Sequence, residues 1–362
     1  MSFEYNNNLK LTVFGQSHSQ SIGVVVDGLP CGYDIDLTAV QDFCDRRRAT
    51  DELSTARSET DQIKVLSGIF NGKTCGSPVA VMIENGDARS KDYEKLVDMP
   101  RPSHADYTAS VKYSGYGDYR GGGHFSGRLT APLCIAGGIA KQILDNFGIK
   151  IGAHLLSIKD DFDIKYDLVN AEIKEFSKGE FPVLDKSAEE KMKQTILSAK
   201  KNGDSVGGII ECAVTGVPAG LGSPNFDGVE NIISRLAFTV PAVKGIEFGN
   251  GFSASTLFGS QNNDVFDQKD GKVVTLTNNS GGVNGGITNG MPIIFRVAMK
   301  PTPSINVNQQ TLNVKTGERE NLIVGGRHDP CVAVRAVPVI ESITAIAVLD
   351  MLIERQKDNL NK

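Results

Sequence analysis

The sequence predicts a mixed α+β protein built as one pseudo-symmetric unit, and recurring segments carry that reading. A strand-like run leading into Gly28-Leu29-Pro30-Cys31-Gly32 recurs before Gly216-Val217-Pro218-Ala219-Gly220. Thr74-Cys75-Gly76-Ser77-Pro78 ahead of an apolar run at 79–83 recurs as Thr288-Asn289-Gly290-Met291-Pro292 ahead of another at 293–297, and a long helical pattern follows in each half. Chance recurrence of short G-x-P-x-G turns is the competing explanation. The shared order of the elements argues for duplication. Residues 1–362 are therefore expected to form one domain, with halves at about 1–150 and 206–362 and a charged, Lys-rich insertion at about 155–205.

The elements follow in order. Residues 11–14 and 22–26 read as strands around the polar loop GQSHSQ at 15–20. Thr38 with Gln41 has the capping-box form, Leu37, Val40, Phe43 and Cys44 share one helical face, and Arg46, Arg47 and Arg48 fall in the last turn. Between 126 and 148, apolar residues from Leu133 to Phe147 recur at spacings of three and four until Gly148. Ser187 and Glu190 cap a third helix that Gly203 ends. The last helix, about 338–356, is apolar around too much of its circumference to have one buried face, so it is expected to be covered on several sides.

Lys+Arg 38 against Asp+Glu 43 gives a formal charge of −5, so no global positive field attracts nucleic acid or an anionic membrane, and any basic site has to be local. The six cysteines stand far apart with no CxxC pair and no Cys/His cluster, which reads as small buried residues in a reducing cytoplasm, with no metal site. The first ten residues lack an apolar signal core and no apolar run reaches the roughly 20 residues of a membrane span, so neither export nor insertion is expected. Glycine is abundant, 39 of 362 against a usual share of about 7 %, and much of it stands in doublets or a triplet.

Four of the five histidines lie in loops rich in Gly, Ser or Arg, and these loops are the candidates for chemistry. His18, between Ser17 and Ser19, suits a general acid or base, or else a solvent-facing turn. Arg101-Pro102-Ser103-His104-Ala105-Asp106 sets guanidinium, imidazole and carboxylate together: an anion site whose acid holds the His tautomer, or a surface ion pair. Gly121-Gly122-Gly123 runs into a helix between Arg120 and Arg128, offering backbone N–H groups and a helix dipole to an anion. It is neither a Walker loop nor a Rossmann fingerprint. Gly325-Gly326-Arg327-His328-Asp329-Pro330 precedes the last helix in the same way, so pseudo-symmetry would aim both helix starts at one cleft; a plain Asp-Pro cap is the alternative for Asp329. The triple Arg also suits a solvated helix end. With no nucleophile elbow, the set fits a small polyanion together with a second phosphate-bearing ligand.

At these motifs the chain resembles the chorismate synthases over nearly its whole length. The resemblance rests on FGQSHSQSIGVVVDGLP at 14–30, DRRR at 45–48, RPSHADYT at 101–108, DYRGGG and SGR within 118–128, AVKGIEFG at 242–249, SGGVNGGI at 280–287, KPTPSI at 300–305 and GRHDPC at 326–331. It implies long central helices between two antiparallel sheets, a homotetramer, and elimination of phosphate from 5-enolpyruvylshikimate 3-phosphate to give chorismate with reduced FMN that is not consumed. By the same resemblance His18 protonates the departing phosphate beside Ser17, His104 sits by flavin N1, Asp329 works with flavin N5 at the substrate C6 proton, and Ser126 joins the relay. Arg47, Arg48, Arg101 and Arg128 match substrate-binding positions. His124, Phe125, Ser126, Ala242, Gly285, Lys300, Pro301, Thr302, Pro303, Ser304 and Arg327 match flavin-binding positions. No NAD(P) fingerprint is visible, so the reduced flavin is expected from an external flavin reductant.

The chain also departs from the family pattern. The family usually has Glu at Gln16, Gly at Ser19, Arg at His124, a small residue at Phe125, Ala at Gly127, Glu at Leu129 and Asn at Pro241, and a basic residue near Leu53. A paralogue that binds flavin or a phosphorylated ligand without catalysis is therefore the second reading.

Overall fold

Two five-stranded antiparallel sheets enclose the long helices. The computed structural model describes residues 3–48, 53–54, 60–86, 96–325 and 328–359, so Arg327, expected at the flavin, lies outside the described residues. The first sheet contains β1 (Glu4–Asn6), β2 (Lys10–Gly15), β3 (Ser21–Asp27), β4 (Ile63–Ser67) and β5 (Val79–Glu84) in the order β1-β2-β3-β5-β4. The second contains β6 (Lys150–Ile158), β7 (Asp161–Phe162), β8 (Gly208–Thr215), β9 (Val243–Phe248) and β10 (Ile293–Met299) in the order β9-β10-β8-β6-β7. The helices are α1 (Leu37–Asp45), α2 (Asp106–Lys112), α3 (Thr130–Asp145), α4 (Lys186–Lys201), α5 (Val229–Ala237) and α6 (Ala333–Asn359).

Period-two patterning accounts for the first sheet: Ile22, Val24 and Val26 of β3 and Val79, Val81 and Ile83 of β5 are all buried on its inner side. α3 packs on this sheet, α6 packs on the second, and the two helices pack on one another. Gly137 permits that last contact, since a Cβ there would fall 2.3 Å from Ser342 Cα of α6. α6 is buried on every side from Val337 to Leu352, as its all-round apolar pattern demands.

The order β2-β3-β5-β4 in the first sheet is matched by β6-β8-β10-β9 in the second. Thr74 Oγ1 donates to Pro30 O at 2.7 Å and Gly32 N to Thr74 O at 2.7 Å. Thr288 Oγ1 donates to Pro218 O at 2.7 Å and Gly220 N to Thr288 O at 2.8 Å. Because β6 pairs with β8, the charged segment interrupts the second sheet's own strand pair and does not stand between the sheets. His154 of β6 ties it down, with Nδ1 3.0 Å from Asp163 and Nε2 3.2 Å from Glu211.

Several helix boundaries differ from the sequence expectation for local reasons. Asp36 caps α1, accepting from Thr38 N at 2.8 Å and Ala39 N at 3.2 Å, while Gln41 turns to Asp45 and Asp61. Asp185 caps α4 by accepting from Ser187 N at 2.9 Å. A 3-10 turn, Gly127–Leu129, precedes α3. α6 begins before Pro338, which lies inside the helix.

The triple Arg is not a solvated helix end. Arg46 donates to both oxygens of Glu341, at 2.9 and 2.7 Å, and Lys141 Nζ donates to the same carboxylate at 2.9 Å, joining α1, α3 and α6. Burial would push Glu341 upward, but Lys141 and Arg46 outweigh it and bring its pKa down to about 2. Glu341→Gln leaves two buried cations uncompensated and should cost on the order of 3–5 kcal/mol at neutral pH. The native carboxylate's contribution is complete above the ordinary Glu value of 4.5 and is lost as pH falls toward about 2. Urea unfolding should therefore show the gap between wild type and E341Q narrowing through that window, and a gap independent of pH would contradict the charge argument.

Candidate active site

A cavity of 520 Å³ opens where the starts of α3 and α6 meet the end of α1, the segment after α5 and the turn after β10. Its described lining includes Arg47, Arg48, Arg101, Arg128, Lys300 and Arg335 against the carboxylates of Asp61 and Asp329. A chain with a formal charge of −5 thus concentrates cations at one place. Both glycine-framed helix starts face this cleft, as the sequence order suggested.

Asp61 organises one wall. It stands at φ 48°, in the left-handed region, and its carboxylate accepts from Arg47 Nη2 at 3.0 Å and from Arg128 Nη1. Burial would raise its pKa, but Arg47 and then Arg128 hold it below the usual carboxylate range. Arg128 Nε donates to Asn85 Oδ1 at 3.0 Å, and Ser126 Oγ accepts from Arg128 N at 3.3 Å. Arg48 donates to Asp45 at 3.1 Å, which also accepts from Lys178 of the charged segment at 2.6 Å. Among the described residues, the buried Nε atoms of Arg47 and Arg48 have no hydrogen-bond partner.

The RPSHAD turn forms the opposite wall. Arg101 makes a two-pronged contact with Asp106, Nε to Oδ2 and Nη2 to Oδ1, both at 2.8 Å, and Nη1 donates to Ser304 Oγ at 2.9 Å. His104 Nδ1 lies 2.7 Å from Asp106 Oδ1 and 3.1 Å from Arg101 Nη2. The carboxylate is the nearer partner and carries full charge, so Nδ1 holds the proton and donates to it, leaving Nε2 as the basic nitrogen. Burial lowers the His104 pKa, Asp106 opposes this, and Arg101 and Lys300 add to the lowering. The neutral form of the imidazole is thereby favoured.

The other expected residues are distributed as follows. Ser17 and His18 are buried against Gly121, where a Cβ would fall 2.5 Å from Ser17 Oγ and 2.6 Å from His18 Nε2, so they stand just behind the cavity wall and not in its lining. Ser17 Oγ has no hydrogen-bond partner. His124, Phe125, Ser126, Ala242, Lys300, Thr302, Pro303, Ser304 and Asp329 line the cavity. Asp329 accepts from Arg335 at 2.6 Å, and Thr302 Oγ1 is buried without a partner. Ala242 adopts φ 74°, and its carbonyl accepts from Lys300 N at 2.9 Å. Pro301 instead packs by Gly207. Gly285 is not brought to the cavity: its neighbour Gly286 binds Val229 N at the start of α5, whereas the cavity lies past the end of that helix.

Some departures from the family pattern meet in space. Gln16 Nε2 lies 3.2 Å from His124 Nε2, whose ring stacks on Phe3 at 4.5 Å. Ser19 Oγ closes its loop on Gln16 O at 2.9 Å and Ser21 O at 2.7 Å, and Leu53 is buried in the core. Sequence reasoning missed Asp61 and Asn85, which sit outside any recognisable motif.

Comparison with known proteins resolves the family. A model described as chorismate synthase matches residues 9–353. The chain belongs to the chorismate synthase family. A chorismate synthase of Thermococcus kodakarensis is 46 % identical over 351 residues, covering 96 % of this chain and 97 % of the relative. One from Lancefieldella parvula is 44 % identical over 366 residues, covering 97 % and 96 %. A crystal structure of chorismate synthase superposes with a TM-score of 0.75 at 29 % identity, covering 96 % of this chain and 92 % of that one. Chorismate synthase function is therefore the supported reading, a non-catalytic paralogue is not favoured, and membership implies a flavin cofactor in general.

Replacing Asp106 by Asn should drive the His104 pKa lower still, because the carboxylate is what opposes the lowering by burial. NMR titration of the histidine resonances would register the change; an upward shift would contradict the assigned pairing.

Proposed function

We propose that the cavity holds 5-enolpyruvylshikimate 3-phosphate together with reduced FMN, and that the chain catalyses anti-1,4-elimination: the C3–O bond to phosphate breaks, the C6–H bond breaks, and chorismate and phosphate leave. The observation that carries this reading is the cationic cavity with buried, unpartnered Arg47 Nε, Arg48 Nε and Thr302 Oγ1, which fits ligands bearing several anionic and hydrogen-bonding groups. When bound, reduced FMN supplies electron density for C–O cleavage and regains it.

In this reading Arg47, Arg48, Arg101 and Arg128 grip the substrate's carboxylates and phosphate. Ser126, His124, Phe125, Ala242 and the Lys300, Thr302, Pro303 and Ser304 turn border the flavin. His18, with Ser17, delivers a proton to the departing phosphate from behind Gly121. His104 keeps a neutral imidazole beside the flavin edge, and Asp329, oriented by Arg335, takes part in removing the C6 proton. The matching strand orders of the two sheets support a single pseudo-symmetric catalytic domain. Exposed Phe226, Phe252 and Phe258, from 77 to 89 % accessible, support a homotetramer that covers them. Six free cysteines, two of them exposed, are compatible with a reducing cytoplasm.

Purified protein, incubated without oxygen with reduced FMN and 5-enolpyruvylshikimate 3-phosphate, should release chorismate and phosphate in equal amounts with no net flavin oxidation. NADPH with oxidised FMN alone should give no turnover, because the reductant is external. His18→Ala and His104→Ala should each lower kcat by about 10² to 10⁴ if both act in proton transfer. Binding without turnover in the wild type would overturn the proposal.

A further inference from the structure

Asn85, the residue after β5, touches two parts of the site. Its Oδ1 accepts from Arg128 Nε at 3.0 Å. Its Nδ2 donates to Gln16 O at 3.2 Å and Ser19 O at 2.8 Å, and its backbone N–H donates to Gln20 O at 3.1 Å. The two side-chain contacts fall on either side of Ser17 and His18, so one amide clamps both ends of the short segment that carries the histidine.

Arg128 is held from a second direction by Asp61, whose carboxylate also accepts from Arg47. Asn85 thus links the loop that carries His18 to Arg128 through one side chain. A primary amide suits this task because one planar group offers an acceptor on one side and donors on the other. Asp keeps the acceptor and loses the donors; Leu has similar size and keeps neither.

We propose that Asn85 is a positioning residue that holds the proton-delivering loop and the anion-gripping Arg128 at a fixed separation, so that both act on one phosphate-bearing ligand. The inference rests on the function proposed above. Proton transfer depends on sub-ångström placement, whereas anion binding tolerates more, so the two contacts should separate kinetically.

Asn85→Asp should leave KM near the wild-type value, because Arg128 keeps its partner, and should lower kcat by about tenfold or more, because carboxylate oxygens now oppose the carbonyls of Gln16 and Ser19. Asn85→Leu should raise KM and lower kcat together. Hydrogen–deuterium exchange gives a readout that needs no turnover: amides 16–20 should exchange faster in N85D while α3 and α6 keep wild-type protection. Affinity for inorganic phosphate, measured by calorimetry, should fall in N85L and hold in N85D. A wild type that fails to turn over the substrate would sink the functional reading alone, leaving exchange and phosphate affinity to judge Asn85. Should N85L not fold, N85D decides. Wild-type kcat in N85D, or unchanged exchange at 16–20, would overturn the proposal.

Discussion

Guanidinium groups repel one another, and burying several of them around one cavity is costly unless each is met by a carboxylate. This constraint shapes the chain more than any other. Arg46 is met by Glu341, Arg47 and Arg128 by Asp61, Arg48 by Asp45, Arg101 by Asp106 and Arg335 by Asp329. The carboxylates approach some nitrogens and leave others, such as Arg47 Nε and Arg48 Nε, without a protein partner. Charge is thus compensated enough to fold, yet donors remain for an anionic ligand. The pairing also makes the arginines rigid, since a guanidinium fixed by a two-pronged contact loses little further freedom on binding.

The helix layer delivers these pairs to one place. α3 and α6 approach closely because Gly137 presents no side chain to Ser342, and each begins beside the cavity. Glu341 then bonds Arg46 from the end of α1 and Lys141 from α3, so the helices are tied by charge as well as by packing. Sheets that share a strand order place equivalent loops at the same end of the sandwich. Active-site geometry is in this sense a consequence of the core: a shift of α6 against α3 would move Asp329 and Arg335 relative to Arg128.

The strands at both ends of GQSHSQ, the all-round burial of the last helix, the recurring turns and the convergence of both helix starts were legible because each has a local chemical signature. His104, Asp106 and Arg101 were legible for the same reason: three complementary groups stand within six residues. Asp61 and Asn85 were not, because their roles arise from partners 14, 67 and 43 positions away in sequence, and a lone Asp or Asn in a polar stretch has no periodicity to reveal it. The helix caps failed for a smaller reason. Asp36 and Asp185 each stand ahead of a hydroxyl residue that also has the capping form, and the carboxylate won. Gly285 was misplaced because a motif match carries no information about which end of α5 its loop meets.

The contact between Gln16 and His124 explains how the site tolerates departures that look severe one at a time. Relative to the usual Glu and Arg that the resemblance implies, the change at 16 removes a carboxylate and the change at 124 replaces a guanidinium by an imidazole. The two side chains touch, so a Gln16–His124 hydrogen bond occupies the corner where both departures fall. Either change alone would leave an uncompensated partly buried charge, the costly outcome that the rest of the cavity avoids. Phe3 lies against the imidazole, with ring centroids 4.5 Å apart. The charge pairing that organises the cavity thus bears on how both departures at this corner are accommodated together.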